Sequence, residues 1–254
     1  MSEASTDAAA APDRPARWQR AEGEPSQLDA LWNGPLERVD APNLDRGGWS
    51  EVGRLEVGGR ELFLKRQSDH LTRSLRHPLG EPTFAREYRA IQRLEQAGIA
   101  TVEVVFFGLR RQGRARQALL ATRALEGYRS LEEWLGDWDL LPEDRQHQLI
   151  RAAARLVRRL HDAGWIHNSL YPKHLFLRCD GASEPARLID LETARRSWRG
   201  WRDRVRDLET LHRRSGPPSQ AQRCLFLEHY LQPDLGEHRD RLAQAILRRS
   251  ARRR

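Results

Sequence analysis

The run from Gly164 to Glu192 constrains this chain more than any other. It opens as Gly164-Trp165-Ile166-His167-Asn168-Ser169-Leu170-Tyr171-Pro172-Lys173-His174-Leu175-Phe176-Leu177 and closes as Leu188-Ile189-Asp190-Leu191-Glu192. A polar loop crowded with potential ligands enters a short apolar strand. A turn at Asp180-Gly181 follows, then a second apolar strand that ends on a carboxylate. Few folds have a use for that order of parts.

The rest of the chain supplies two halves around it. Trp49 to Val57 and Arg60 to Lys65 read as strands joined by a Gly58-Gly59 hairpin turn. Ser68 to Pro82 is polar and broken by prolines, so it reads as a loop. Pro82 to Gln96 reads as a helix with Phe84, Glu87, Ile91 and Leu94 on one face, closed by Gly98. Thr101 to Leu109 and Gln117 to Ala124 read as a second strand pair, with Arg110 to Arg116 as the turn. Ser130 with Glu133 is a capping-box pattern. Pro142 to Ala163 is a long amphipathic helix with Leu149, Ala153, Leu156 and Leu160 in line, ended by Gly164. After Glu192 the chain reads as helical and basic. The expected class is α+β, with a disordered leader over 1–27, a small mixed half over 28–125, a larger helical half over 126–247 and a basic tail over 248–254.

At 254 residues, 39% of them apolar and 31% charged, a soluble globular chain is expected. No run reaches the 18 or so apolar residues of a membrane span, and no secretory signal is read. Cys179 and Cys224 lack metal-type spacing, which fits a reducing, cytoplasmic setting.

Lys65 and Lys173 are the only lysines among 44 basic residues, and both fall in candidate site segments. Lysine is a compact point charge suited to phosphate, and arginine does not replace it automatically at a tight site. Lys65 ends the apolar strand Leu62-Phe63-Leu64, and Glu87 faces inward on the next helix, where a buried carboxylate needs a partner. A strand lysine paired with a helix glutamate positions phosphates. Asp190 at a strand end can hold Mg²⁺ against phosphate oxygens. Glu192 is a second ligand or a solvated charge. His174 is a candidate near the metal; His167 either acts in the site or fixes the loop by hydrogen bonds. Lys173 steers a phosphate or a nearby acid. Gly47-Gly48 is a candidate phosphate-covering turn. No Walker, nucleophile-elbow or zinc-protease motif occurs.

Together these segments resemble the lipopolysaccharide kinase family, in its InaA-like branch. The resemblance is carried by Phe63 to Gln67, His77 to Leu79, Phe84 to Glu87, His167 to Phe176, Leu188 to Glu192 and Arg206-Asp207-Leu208, within Gly47 to Leu231. It implies a bilobal protein-kinase-like fold, ATP as donor, Mg²⁺ as cofactor and a lipopolysaccharide inner-core sugar, a heptose, as acceptor. By position, Lys65 would contact the phosphates, Glu87 would pair with it and Asp190 would bind the metal. The candidate set is therefore Ser169, His167 and Lys173 for catalysis, Lys65, Glu87, Gly47 and Gly48 for nucleotide, and Asp190 and His174 for metal.

One departure matters. The kinase loop reads H-R-D-x-x-x-x-N; here its base aspartate is Ser169 and its asparagine is His174. Serine is a poor base near neutral pH unless activated, so a nucleotide-binding pseudokinase is the alternative, with Asp162 or Glu192 as possible substitutes for the base. An aminoglycoside-type phosphotransferase shares the order of halves, but the Leu170 to His174 run argues against it. Net charge is +8. Six arginines between Arg195 and Arg206, interleaved with Trp198 and Trp201, and five more from Arg248 to the end suit an anionic glycolipid or the inner leaflet. No RNA-module motif is visible, so nucleic acid is disfavoured.

Overall fold

The structure is a computed structural model and describes residues 25–74, 77–180, 186–231 and 237–252. In chain order, α1 (Pro25–Asn33) precedes β1 (Glu37–Arg38), β2 (Trp49–Val57), β3 (Arg60–Ser68), β4 (Leu71–Thr72) and β5 (Glu81–Pro82). Next come α2 (Thr83–Gln96), β6 (Val104–Gln112), β7 (Ala115–Arg123), β8 (Arg129–Ser130), α3 (Leu131–Gly136) and α4 (Glu143–Asp162). Then β9 (Trp165–Ile166), β10 (Leu175–Leu177), β11 (Ala186–Leu188) and β12 (Arg195–Arg196) lead to α5 (Trp201–Arg214), α6 (Gln220–Leu231) and α7 (Glu237–Ala251).

The large sheet is antiparallel throughout, in the order β1-β2-β3-β7-β6. Its central strand is β3, which carries Lys65 opposite Val52 on one side and Leu120 on the other. The two faces bury different things. Leu64, Phe106, Leu119 and Ala121 pack under Leu28 of α1. Ala118 and Leu120 join α2 and the C-terminal helices in one continuous core that includes Ile91, Leu149, Leu156, Leu160 and Leu242. α2 thus lies between the sheet and the rest of the molecule, with Phe84, Glu87, Ile91 and Leu94 all buried as their spacing predicts.

The capping signals hold locally. Ser130 Oγ accepts from the Glu133 amide at 3.1 Å, and the Glu133 carboxylate accepts from the Ser130 amide at 2.7 Å. Gly98 and Gly164 close α2 and α4 at φ of 72° and 75°, a region glycine enters without cost.

Four expectations change. The leader expected over 1–27 is shorter at its end, since α1 begins at Pro25; residues 1–24 lie outside the described ones. α1 is held because Arg66 donates to the carbonyls of Leu31 and Gly34, both at 2.8 Å, satisfying acceptors at the helix end. The expected loop over 68–82 contains the small β4–β5 pair, stabilised by His70 and Thr83 across it. The expected turn over 110–116 shrinks to the residues around Gly113 (φ 60°), because the polar residues on either side continue the ladder to Gln112↔Ala115. The expected basic tail is helical as far as Ala251, with Arg248 and Arg249 in the last turn of α7, where cations complement the helix dipole. Arg253, Arg254 and Gly181 of the expected turn lie outside the described residues.

Gly48 has a packing reason to be glycine. A Cβ there would stand 2.3 Å from the backbone of Ser68 and Asp69 and 2.4 Å from that of His70. Gly48→Ala is therefore expected to cost about 1–3 kcal/mol of stability, read as a lower denaturant midpoint at unchanged slope.

Candidate active site

Glu87 is 2% exposed and lies one turn into the apolar face of α2, so its charge must be met inside the protein. Lys65 meets it from β3, donating to both carboxylate oxygens at 2.7 and 2.9 Å. Burial pushes the Lys65 amine down, but Glu87, then Asp190, and then Glu192 push it up, and the balance lies above its ordinary value. The acid at the end of the hairpin thus acts on the same amine as the helix glutamate, although 125 residues separate Lys65 from Asp190 in the chain.

Asp190 follows β11 in the left-handed region at φ 56° and caps a short 3-10 turn, Leu191–Thr193, that packs on α2. Its Oδ2 lies 3.0 Å from His174 Nε2. Burial raises its pKa, but the His174 hydrogen bond and the charge of Lys65 outweigh that and hold the carboxyl well below the usual carboxylate range. His174 Nδ1 lies 2.8 Å from the Ser169 carbonyl, which can only accept. Nδ1 therefore carries a hydrogen, and Nε2 is the nitrogen turned toward Asp190.

His167 is fully buried. Its Nε2 donates to the carbonyl of Ile189 at 2.9 Å, and its ring stacks on His174 with centroids 5.4 Å apart. Burial, then the neighbouring His174, pushes its pKa down, so the imidazole stays neutral. It links the polar loop to the residue before Asp190 and has no exposed face for a substrate.

Ser169 Oγ lies 3.1 Å from Thr193 Oγ1. Thr193 also donates to the His167 carbonyl at 3.0 Å, which uses its one proton. Ser169 must then donate to Thr193, and its remaining lone pairs are free to accept. Lys173 is exposed on a 3-10 turn whose flanking Pro172 and His174 are buried. No described hydrogen bond joins Lys173, Gly47 or Gly48 to the Lys65–Asp190 cluster. Asp162 is committed elsewhere, to Arg158 and Arg204 at the end of α4.

Two residues escaped the reading of the sequence as site components. Asp207 on α5 is 1% exposed. It accepts from the backbone amides of His167 at 2.7 Å and Asn168 at 2.9 Å, and lies 3.3 Å from His161 Nε2. His161 Nδ1 in turn lies 2.8 Å from the hydroxyl of Tyr230, whose pKa burial pushes up to about 12. This one carboxylate holds the loop in place, with Asn168 in the left-handed region at φ 67°. Thr193 is the second. A signal existed for Asp207: it stands four residues after Asp203, beside the stripe Val205, Leu208 and Leu211, where an acid faces inward.

The match to the lipopolysaccharide kinase (Kdo/WaaP) family model runs over residues 29–230. The chain belongs to that family. Among curated members it is 31% identical to Protein InaA of Escherichia coli K12 over 176 residues, covering 68% of this chain and 81% of that one. It is 30% identical over 200 residues to the lipopolysaccharide core heptose(I) kinase WaaP of the same strain, covering 70% and 74%. A solved structure described as WaaP in complex with acyl carrier protein matches this Kdo/WaaP chain with a TM-score of 0.66 at 26% identity, over 89% of this chain and 92% of that one. The family makes phosphoryl transfer the chemistry against which the site is read.

A divalent ion fits the donors present. Among the described residues no group of three or more His, Cys, Asp or Glu side chains could hold a metal. Mg²⁺ commonly takes only one or two carboxylates from the protein and the remainder from phosphates and water. Asp190 supplies such a carboxylate, with the His174 imidazole 3.0 Å from it.

Two outcomes follow from these contacts. Asp207→Ala strands two buried amides and should cost about 2–5 kcal/mol, measured by chemical denaturation. Asp190 has a lowered folded pKa, so its contribution is present above the unfolded value of about 3.9 and is lost as pH falls through the folded one. The stability gap between wild type and Asp190→Asn should therefore be flat from about pH 5 to 8 and narrow below about pH 4, followed by thermal unfolding across pH.

Proposed function

We propose that this chain is an ATP-dependent kinase that phosphorylates a sugar hydroxyl of the lipopolysaccharide inner core, with a heptose as acceptor, at the cytoplasmic face of the inner membrane. The observation that carries the reading is the shared electrostatics of Lys65, Glu87 and Asp190. An amine held by a buried glutamate, facing a carboxylate kept ionised, is what a triphosphate and its counter-ion require.

In this reading Lys65 binds the phosphates, Glu87 orients Lys65, and Asp190, with His174 beside it, would hold Mg²⁺, whose charge would offset that of the phosphate oxygens. The acceptor oxygen forms a bond to the terminal phosphorus as the bond from that phosphorus to the bridging oxygen breaks. ADP leaves, and the acceptor proton passes to a phosphate oxygen or to solvent. Ser169 accepts a hydrogen bond from the acceptor hydroxyl and orients it, because its own proton is turned to Thr193. Phosphoryl transfer draws most of its catalysis from positioning and charge, so a weak base in that place is tolerable. His167 is a positioning residue through Ile189. Lys173, Gly47 and Gly48 are given no role here, since no hydrogen bond among the described residues joins them to the cluster.

A catalytically silent nucleotide-binding module is the second reading. It is favoured by one observation: the loop position of the usual base holds a serine already engaged with Thr193. Incubation with labelled ATP, Mg²⁺ and dephosphorylated core oligosaccharide separates the two. Label on the sugar, reduced at least about a hundredfold in Lys65→Ala and in Asp190→Ala, is the expected result. Nucleotide binding with no labelled sugar selects the silent module, and wild-type labelling by Asp190→Ala removes the metal role.

A further inference from the structure

Two arginine clusters far apart in the chain meet in space. The start of α5 and the end of α7 line one open groove of about 790 Å³. Arg195, Arg199, Arg202 and Arg206 come from the first side; Arg248, Arg249 and Arg252 come from the second. Among the described residues, the only acid in its wall is Asp203, which is 3% exposed and already engaged. Asp203 accepts from Arg195 at 3.0 and 3.1 Å and from the amides of Trp198 and Arg199 at 3.0 and 3.1 Å. Arg249 lies 3.6 Å from the buried Glu209. For Arg199, Arg202, Arg206, Arg248 and Arg252, no ion pair occurs among the described residues.

That leaves five like charges around one concavity, an arrangement that opposes its own folding. The dipole of α7 favours the cations in its last turn, but α5 turns its positive end toward Arg199 and Arg202, where further cations are disfavoured. An external anion relieves both. The aromatic residues suggest which anion. Trp201 lines the groove at 37% exposure, and Trp198, beside Arg199, is 79% exposed. Indole in water next to arginine is suited to the headgroup region of a bilayer, where the ring is part-buried and the N–H stays wet.

We propose that this groove docks the protein on a bilayer bearing anionic headgroups, with a headgroup phosphate seated among Arg199, Arg202, Arg206, Arg248 and Arg252 and the two tryptophans entering the interface. The placement suits the proposed acceptor. β12, which opens the basic stretch, pairs with β9 immediately before the polar loop, and Arg206 adjoins the Asp207 that holds that loop. The groove extends the kinase reading but stands apart from it, since docking needs no turnover.

The test is sedimentation of the full chain with vesicles of phosphatidylcholine alone and of phosphatidylcholine with phosphatidylglycerol. Wild type should bind the anionic vesicles only, and binding should weaken as salt is raised. Each arginine near the surface contributes a factor of about five. The triple variant Arg199→Gln/Arg202→Gln/Arg248→Gln should therefore lose roughly a hundredfold. Trp198→Ala should weaken binding at high salt, where the aromatic contribution remains. A control triple on other exposed arginines, Arg60→Gln/Arg151→Gln/Arg155→Gln, carries the same charge change and should bind within a few-fold of wild type, with both triples matched for thermal unfolding. Asp190→Ala should bind vesicles like wild type, so failure of the kinase reading leaves this result intact. Equal loss in the two triples would reduce the effect to net charge and overturn the proposal, as would binding to phosphatidylcholine alone. Binding of soluble glycerol phosphate or poly(U) with no vesicle binding would also overturn it.

Discussion

A single buried carboxylate organises the site. Asp207 takes two backbone amides from the polar loop and sits against an imidazole from α4. An ionised acid in a protein interior is tolerated only when donors surround it, so the loop supplies what the acid needs and the acid fixes the loop's shape. Asn168 can hold its left-handed backbone because its amide is one of those donors. The remaining contacts follow from that shape. The Ser169 carbonyl orients His174, the His167 carbonyl receives Thr193, and the His167 ring reaches the carbonyl of Ile189. Loop, hairpin end and helix α5 thereby form one hydrogen-bonded unit.

The sheet contributes the opposite charge to this unit. Lys65 and Glu87 form a close ion pair, and the His174 hydrogen bond together with the charge of Lys65 keeps Asp190 ionised. Three carboxylates, Glu87, Asp190 and Glu192, act on the one amine of Lys65, so acids outnumber it in the site although the whole chain carries +8. Much of the excess collects instead where α5 and α7 meet. In the proposed reading, phosphate chemistry and surface attraction are separated in the molecule, each with its own cation: lysine as a compact charge inside, arginine as a broad, weakly hydrated one outside.

Short-range physics made much of this readable. A hairpin needs its two glycines, a helix needs its cap and its apolar period, and those demands appear within a few residues of one another. The bounds of β2, α2 and α4 and the capping box at Ser130 were all legible for that reason. Glu87 was legible too, because a carboxylate in phase with Phe84, Ile91 and Leu94 must face inward. The same inference could have reached Asp207, whose phase beside Val205, Leu208 and Leu211 is similar. What the phase does not name is the partner. The acceptors of α5 and the donors of the loop lie about 40 residues apart, and nothing local couples them.

By itself, then, the order of residues determined the elements, the inward direction of two acids and the identity of the one lysine that serves the sheet. Tertiary structure decided which charges share a space. It brought Asp190 to Lys65, turned the Ser169 proton to Thr193, and folded two distant arginine runs onto one groove. The reason is range: hydrogen bonding within a turn or a helical period acts along the chain, whereas charge acts through space, and only packing sets distances there.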